Sequence, residues 1–339
     1  MTPRPIGILA NPASGKDIRR LVARASVFDN QEKRAIVTRC LAGIAALGQP
    51  EIVYFDDSHG IARGGLEAAA VQGTPVARTN TGRADDTTRA AAEMRAADCG
   101  AVITLGGDGT NRAFAKGWLD APLLPLSTGT NNVFPRIVEG TLAGMAAAAV
   151  ASGRVGLADV SRRAKVIHVT VDGQDDDIAL IDAAATNDRF VGARALLDCE
   201  RLVLAVLATA TPTAVGLTSV GGLLLPVAGS EDFAAVVRFE LPGRPALHRV
   251  RAPIAPGMFQ DVGVATASHV AFGDRITLEG PGVLAFDGER ERTLAAGQRA
   301  TMEVRRDGPH VIDVERILRS GAALGVVHAV QNEELRDAV

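Results

Sequence analysis

AVITLGGDGTNRAFAKG, residues 101–117, is the stretch that decides the fold. The apolar run AVITL leads into Gly106-Gly107-Asp108-Gly109-Thr110, and a segment with helical spacing follows. Glycines let backbone N–H groups approach a phosphate closely, and the helix that follows presents its positive N-terminal end. The stretch therefore predicts a strand, a phosphate-binding glycine loop (residues 106–110) and a helix.

Asp108 stands in the middle of this loop, where its carboxylate would repel a bare phosphate. A carboxylate is useful there if a divalent cation lies between the two, or if it accepts the proton of a hydroxyl that attacks phosphorus. The glycine loop thus indicates phosphoryl transfer rather than passive nucleotide binding. The alternative is a tight turn whose aspartate only caps the helix, but the order of strand, GGDGT and helix favours the phosphate interpretation.

The pattern of apolar runs and turn residues along the chain changes near residue 155. Before that point, short apolar runs alternate with helical segments, which predicts crossover units and a mainly parallel sheet. After it, short alternating runs are broken by Asp-Gly, Pro-Gly and Gly-Pro pairs, which predicts antiparallel β-structure. We expect an α/β domain over 1–155, a β-rich domain over 156–314, and a helical segment over 315–339 that packs back on the first domain.

Three local predictions fall in the second half. The run VGARALLDCERLVLAVLATATP, residues 191–212, has the length and apolar content of a helix. Two alternating runs on either side of Asp307-Gly308 predict a hairpin. Asp287-Gly288-Glu289 also predicts a hairpin turn.

Composition excludes several classes of protein. Of the 339 residues, 47% are hydrophobic and only 4% aromatic, and the net charge is −3, so no basic surface for nucleic acid is expected. Cys40, Cys99 and Cys199 lie far apart in the sequence, which argues against a disulfide framework or a zinc site. No apolar run reaches the length of about 18 residues that a membrane span needs. We expect a cytoplasmic protein that spans no membrane.

The GGDGT segment resembles the signature of the superfamily that joins NAD kinases, diacylglycerol kinases and sphingosine kinases. Other segments resemble motifs of this superfamily in the same order along the chain: Asn11-Pro12-Ala13-Ser14-Gly15-Lys16, Ser127-Thr128-Gly129-Thr130-Asn131-Asn132, Asn187-Asp188, Thr211-Pro212-Thr213 and Asp287-Gly288-Glu289. A narrower resemblance, carried by GRADDTTRAA and STGTNNVFP, is to the acetoin-catabolism protein X branch of the ATP-NAD kinase family.

The resemblance implies a fold of the NAD kinase and diacylglycerol kinase type. An N-terminal Rossmann-like domain with a parallel sheet is followed by a β-sandwich-like domain, and the site lies between them. Members of the family often assemble through the β-domain, so a homo-oligomer is expected. The implied ligands are ATP, Mg²⁺ and NAD, the last as a substrate.

The resemblance also implies roles for individual residues. Asp108 corresponds to the family's aspartate, a base or a metal-linked acid, and Glu289 is an acid that faces the cleft. The implied nucleotide-binding residues are Asn11, Gly106, Gly107, Gly109, Thr110, Thr128, Gly129, Asn131, Asn132, Asn187 and Asp188. For Asn187-Asp188 an Asx turn after a buried strand is the alternative.

The chain departs from the NAD kinase pattern at one important place. Residues 214–218, Ala-Val-Gly-Leu-Thr, replace a Gly-Ser-Thr-Ala-Tyr segment and lack two of its hydroxyls and its tyrosine. This weakens the case for NAD as the phosphate acceptor. The leading hypothesis is a kinase that phosphorylates NAD or a related small molecule, and the rivals are a nucleotide sensor without turnover and a lipid kinase. The sequence has no basic amphipathic helix to favour the lipid kinase.

Overall fold

The computed structural model of the chain describes residues 3–15, 28–48, 50–77, 81–129, 132–188, 190–191 and 199–325. Its helices are α1 Asn30–Leu47, α2 Ile61–Ala68, α3 Ala84–Ala96, α4 Asp108–Gly117, α5 Gly140–Ala151, α6 Leu157–Val160, α7 Leu217–Leu224, α8 Val314–Leu318 and α9 Gly321–Leu324. Its strands are β1 Ile6–Ala10, β2 Ile52–Phe55, β3 Thr74–Val76, β4 Ala101–Gly106, β5 Pro122–Ser127, β6 Ser161–Arg163, β7 Val166–Val171, β8 Asp177–Ala179, β9 Asp182–Thr186, β10 Leu202–Leu207, β11 Phe233–Phe239, β12 His248–Ala255, β13 Met258–Ala271, β14 Arg275–Glu279, β15 Gly282–Phe286, β16 Glu289–Leu294, β17 Arg299–Arg305 and β18 His310–Ile312.

The first sheet has the strand order β3-β2-β1-β4-β5-β18-β6. All neighbouring strands in it run parallel except β18 and β6. Every residue of β1 and β4 is buried, as expected for strands that helices cover on both faces. β4, the strand before the glycine loop, therefore lies in the middle of a covered parallel sheet.

Small residues let the helices on one face of this sheet pack closely. A Cβ added at Gly144 of α5 would lie 1.9 Å from the Cys40 carbonyl oxygen of α1, and one at Gly43 would lie 2.0 Å from the Thr141 carbonyl oxygen. Helices α3 and α4 cover the opposite face, where Met94 and Phe114 are fully buried. Close backbone contact explains how a core with so few aromatic side chains is filled.

The second half of the chain forms two antiparallel sheets, ordered β12-β13-β11-β10-β9-β15-β16 and β14-β17-β7-β8. Buried side chains of both, among them Val169, Val206, Phe286 and Met302, form one core between the sheets. Helix α7 packs on the other face of the larger sheet through Val220. The predicted fold class, a parallel α/β sheet followed by a β-rich sandwich, is confirmed.

Two of the local predictions are wrong. The expected helix over 191–212 contains strand β10 at Leu202–Leu207, while residues 192–198 lie outside the described part of the chain. β10 is central in its sheet and packs on both faces, so its apolar run does not alternate and imitates a buried helix.

The expected hairpin at Asp307-Gly308 does not form either. β17 pairs with β7 in the sandwich, whereas β18 leaves it and runs parallel to β5 in the first sheet. The Asp-Gly pair thus marks the point where the chain returns to the first sheet. Beyond it, Ile317 of α8 and Leu324 of α9 are buried in the core of that sheet.

Among the helices of the described residues, none is both long enough and apolar enough to cross a membrane.

Candidate functional site

Three segments meet at the carboxyl-terminal edge of the parallel sheet. The turn Asn11–Gly15 follows β1, the glycine loop follows β4, and residues 128–129 and 132–134 follow β5. These strands are neighbours in the order β1-β4-β5, so their ends lie side by side. Ligands of open α/β sheets bind outside this edge, which makes it the candidate site.

Side-chain hydrogen bonds tie the three segments together. Asn11 Nδ2 donates to Thr110 Oγ1 at 2.8 Å, which joins the first turn to the glycine loop. The hydroxyls of Ser14 and Thr128 are 2.7 Å apart, which joins the first turn to the third segment. The Thr128 backbone N–H also donates to the Gly106 carbonyl at 3.2 Å. The sequence-predicted residues Asn11, Thr110 and Thr128 therefore belong to one network.

The side chain of Asn132 packs over two glycines. Its Nδ2 donates to Ser127 Oγ at 2.8 Å. A Cβ at Gly107 would lie 2.8 Å from Asn132 Oδ1, and a Cβ at Gly129 would lie 3.1 Å from Asn132 Nδ2. A larger residue at either position would require the Asn132 amide group to shift. Asn131, which was expected to bind nucleotide beside it, lies outside the described residues.

Asp108 contacts the segment that follows β5. Its Oδ1 accepts from the backbone N–H groups of Val133 at 3.1 Å and Phe134 at 2.8 Å, and its Oδ2 also accepts from Val133 at 3.1 Å. These amides are 25 and 26 residues away in the sequence. These three hydrogen bonds of the carboxylate brace the segment that follows β5.

Glu289 reaches the glycine loop from the second domain. It begins β16, which pairs with β15 in a hairpin, as predicted. Asp287 and Gly288 at the tip have φ values of +50° and +79°, the left-handed conformation typical of tight hairpin turns. Glu289 Oε1 lies 3.8 Å from the position of a Cβ on Gly109. A half-buried carboxylate of the β-domain therefore faces the start of α4.

The side chain of Asp287 fixes this hairpin to the chain at the start of β9. Its carboxylate accepts hydrogen bonds of 2.8 to 3.2 Å from the backbone N–H groups of Leu180, Ile181 and Asp182. Burial raises the pKa of Asp287, and Arg112 and the three amides offset part of that rise. The buried carboxyl group locks the turn that presents Glu289.

Arg112 joins α4 to the β-domain, a role that the sequence analysis missed. Its Nη2 lies 2.8 Å from Asp177 Oδ1, its Nε donates to the Ile178 carbonyl at 2.6 Å, and its Nη1 lies 3.3 Å from Glu291 Oε1. Arg112 is one helical turn beyond Asp108, and Glu291 is two residues beyond Glu289. The arginine therefore ties the helix of the glycine loop to the strand that carries Glu289. The available signal was a charged residue at the fourth position after Asp108, in the helix that follows GGDGT.

Asp177 is the acidic centre of this joint. Burial alone would raise the pKa of Asp177, but Arg112, the Ile178 amide and Lys116 together hold it below its usual value. Arg292 also donates to Asp177 Oδ2 at 2.8 Å. A buried carboxylate with several cationic partners is costly to break, so the joint holds the two domains together.

Asn187 and Asp188 lie at the end of β9 that is away from the hairpin. The near end is Asp182, whose carbonyl accepts from the Asp287 backbone N–H and whose N–H donates to Asp287 Oδ1. An extended strand rises about 3.3 Å per residue, so Asn187 lies roughly 16 Å from Asp182. Asp188 accepts from Thr186 Oγ1 at 3.0 Å, and its Oδ1 is 3.4 Å from Arg201 Nε. The structure does not bring this pair to the glycine loop, and its contact with a ribose stays a prediction.

Comparison with known proteins connects the two halves of the chain to two domain families. Residues 6–155 match the ATP-NAD kinase N-terminal domain, and residues 165–307 match the acetoin catabolism protein X C-terminal domain. The chain is 35% identical to acetoin catabolism protein X of Cupriavidus necator over 332 residues, which cover 93% of this chain and 91% of that protein.

Two solved structures are similar at low sequence identity. Yeast NADH kinase complexed with NADH is 13% identical with a TM-score of 0.49, and the match covers 98% of this chain and 90% of that one. A putative diacylglycerol kinase from Bacillus anthracis is also 13% identical, with a TM-score of 0.47 and coverage of 92% and 99%.

Proposed function

Because the chain belongs to the family of acetoin catabolism protein X and carries an ATP-NAD kinase N-terminal domain, we propose that it binds a nucleotide at the glycine loop and transfers a phosphoryl group. The donor is ATP, the acceptor is a hydroxyl of NAD or of a related small molecule, and the reaction serves acetoin catabolism. The observation that carries the proposal is the approach of Glu289 to Gly109. It sets a carboxylate opposite a loop suited to phosphate.

The glycine loop supplies the binding part of this function. The first backbone N–H groups of α4 have no partner within the helix, and the helix dipole makes that end attractive to anions. Gly107 and Gly109 leave the backbone accessible, and Asn132 adds an amide beside Gly107 and Gly129. These groups suit the terminal phosphates of a nucleotide.

Glu289 supplies the catalytic part. In the proposed step the acceptor oxygen forms a bond to the γ-phosphorus of ATP, and the bond from that phosphorus to ADP breaks. The proton of the acceptor hydroxyl passes to the Glu289 carboxylate, which acts as general base. Asp108, which accepts the amides of Val133 and Phe134, holds the neighbouring segment in place.

Mg²⁺ fits this site as a companion of the nucleotide. Within the described ranges of the chain, no three His, Cys, Asp or Glu side chains form a group that would hold a metal ion. Mg²⁺ is usually held by one or two carboxylates and by substrate phosphates, and Glu289 and Asp108 are the carboxylates beside the glycine loop. When bound, the ion neutralises charge on the phosphates.

A second candidate function is a nucleotide sensor without turnover. The observation that favours it is the engagement of the Asp108 carboxylate by two backbone amides. A sensor needs the phosphate-binding loop and its bracing aspartate but no general base. The altered segment 214–218, which lacks two hydroxyls of the NAD kinase pattern, also suits a protein that does not phosphorylate NAD.

Ligand binding and product formation separate the two functions. ATP and NAD are titrated into the protein with and without Mg²⁺ by calorimetry, and the mixture with both ligands is analysed for NADP and ADP. A kinase binds ATP and forms ADP together with a phosphorylated acceptor, whereas a sensor binds a nucleotide and leaves it unchanged. Absence of binding to ATP and to NAD under all conditions would refute both functions.

A further inference from the structure

Lys33 is a fully buried lysine, with 0% of its surface exposed. It lies in the first turn of α1, and its Nζ points at the turn after β1. Nζ donates to the Asn11 carbonyl at 2.9 Å, to the Ser14 carbonyl at 2.8 Å and to Asn30 Oδ1 at 3.2 Å. A buried ammonium group is costly unless polar groups surround it. Here main-chain carbonyl groups supply most of that compensation.

Lys33 Nζ also lies 3.4 Å from the Pro12 carbonyl oxygen. Of the three residues whose carbonyl groups it contacts, Asn11 and Ser14 also contact other segments of the candidate site. Asn11 donates from its side chain to Thr110 in the glycine loop at 2.8 Å. Ser14 shares a hydrogen bond of 2.7 Å with Thr128 after β5. The ammonium group is therefore linked through Asn11 to the glycine loop and through Ser14 to the segment that follows β5.

We propose that Lys33 is a positioning residue for the nucleotide site: it fixes the Asn11–Ser14 turn so that this turn sets the spacing between Thr110 and Thr128. Its effect on nucleotide affinity rests on the proposed function, whereas its effect on the two loops does not. Lys33 is not a catalytic residue, because it contacts the backbone of the turn and is buried beneath it.

The physical reason lies in the carbonyl groups. Without the ammonium group, the partly buried carbonyl groups of the turn lose a charged donor, which favours a rearrangement of the turn that gives them other donors. Any rearrangement moves Asn11 and Ser14 relative to Thr110 and Thr128. Reacting groups are sensitive to misplacements of about 1 Å, so a small shift of the turn affects the phosphate site.

Lys165 provides a matched control. It is also buried, with 3% of its surface exposed, and its Nζ also holds main-chain carbonyl groups, those of Ala228 at 2.9 Å and Phe233 at 2.6 Å. These carbonyl groups belong to the β-domain and to none of the three segments of the site. Replacement of either lysine by methionine removes the same charge and the same kind of contact.

The experiment compares Lys33→Met, Lys165→Met and the wild type by hydrogen exchange and by calorimetry with ATP. Both variants are expected to melt at a lower temperature. Only Lys33→Met should show faster exchange in the peptides that cover Gly106–Thr110 and Ser127–Gly129, and only it should bind ATP more weakly, by about tenfold or more. Equal exchange in these peptides for Lys33→Met and wild type, or equal effects of both lysine variants on them, would overturn the proposal.

Ser14→Ala keeps the proposal testable if Lys33→Met does not fold. It removes the hydroxyl that contacts Thr128 and leaves the carbonyl group that Lys33 holds. Faster exchange over Ser127–Gly129 in this variant supports the proposal, and unchanged exchange overturns it. If the wild type binds no ATP, the proposed function fails, but the exchange data still decide whether Lys33 positions the loops.

Discussion

Phe134 donates its backbone N–H to Asp108 Oδ1 at 2.8 Å, so the aspartate of the GGDGT segment holds the chain that follows the next strand. Val133 donates to the same carboxylate. Two backbone amides on one carboxylate are typical of a structural brace. This arrangement supports a bracing role for Asp108, and the general base proposed above is Glu289, whose Oε1 lies 3.8 Å from the position of a Cβ on Gly109.

Asp108→Asn tests the bracing role. The remaining side-chain oxygen can still accept from Phe134, but the new amide nitrogen meets the Val133 N–H, a donor facing a donor. We expect the free energy of unfolding to fall by about 1 kcal/mol and turnover to fall less than it does in Glu289→Gln. Urea unfolding and a phosphate-transfer assay measure the two effects. Complete loss of turnover with normal stability would instead identify Asp108 as the base.

Glu289→Gln tests the catalytic role. The substitution keeps the shape of the side chain and removes its basicity, so turnover should fall about 100-fold or more. Affinity for ATP without Mg²⁺ should stay constant or rise, because a negative charge near the phosphates is gone. Glu279→Gln is the control, since it removes the same charge from an exposed side chain of the β-domain that pairs with Arg299. Its turnover should stay close to the wild-type value, and equal losses in both variants would refute the assignment.

The joint around Asp177 predicts how stability responds to acid. Burial would raise the pKa of Asp177, but Arg112 and its neighbours lower it below the value of about 3.9 for an unfolded chain. A depressed folded-state pKa stabilises the protein above the unfolded pKa, and this contribution is lost as the pH falls through the folded pKa.

Asp177→Asn checks this expectation. At pH 7 the variant should be less stable by about 3 kcal/mol, because Arg112 is left buried without its partner. Below about pH 4 its free energy of unfolding should fall less steeply than that of the wild type. Urea titrations between pH 7 and pH 3 give both curves. Parallel curves over the whole range would show that Asp177 does not carry this contribution.

Lys165 predicts a difference at alkaline pH. Burial first, and then Arg306, lower its pKa to about 8, whereas an unfolded lysine titrates near about 10.4. Between these values the unfolded state binds more protons, so this group makes stability rise with pH. Burial raises the pKa of Cys40 and Cys99 to about 12. Above about pH 9 these two thiols therefore make the free energy of unfolding decrease as the pH rises.

The comparison of Lys165→Met with the wild type isolates the lysine, since both proteins contain the cysteines. From pH 8 to pH 10, the stability of the variant relative to the wild type should decrease, because only the wild type gains from loss of the proton. Chemical unfolding at several pH values measures this difference. A difference that does not depend on pH would contradict the lowered pKa of Lys165.

Much of the fold could be predicted from local patterns. Buried β-strands such as β4, flanked by glycine turns and helical segments, indicated a parallel sheet, and the Asp287-Gly288 turn indicated its hairpin. Periodicity could not distinguish β10 from a helix, because a strand buried on both faces has no alternation. Asp307-Gly308 imitated a hairpin because local chemistry does not reveal that the next strand joins another sheet.

The candidate site could be predicted from the sequence only where one short motif contained the groups that bind the ligand. The glycine loop was such a motif, and Glu289 followed from a resemblance. The long-range partners of Asp108, Arg112 and Lys33 lie 19 to 179 residues away, and such pairs leave no recognisable spacing in the sequence. The role of Asn187-Asp188 in holding a ribose likewise came from a resemblance and stays a prediction.

The central claim, that the glycine loop binds the phosphates of a nucleotide, is tested most directly with Gly109→Ala. Among the described residues outside its own turn of helix, only Glu289 comes within 4 Å of the added Cβ, at 3.8 Å, so the fold has room for it. Gly109 lies in α4, where alanine is favoured over glycine by up to about 1 kcal/mol, so the variant should be at least as stable as the wild type. The methyl group should nevertheless obstruct the phosphates. Calorimetric titration with ATP and Mg²⁺ should therefore show affinity reduced by about tenfold or more in a protein that melts no earlier, and equal affinity in both proteins would contradict the account.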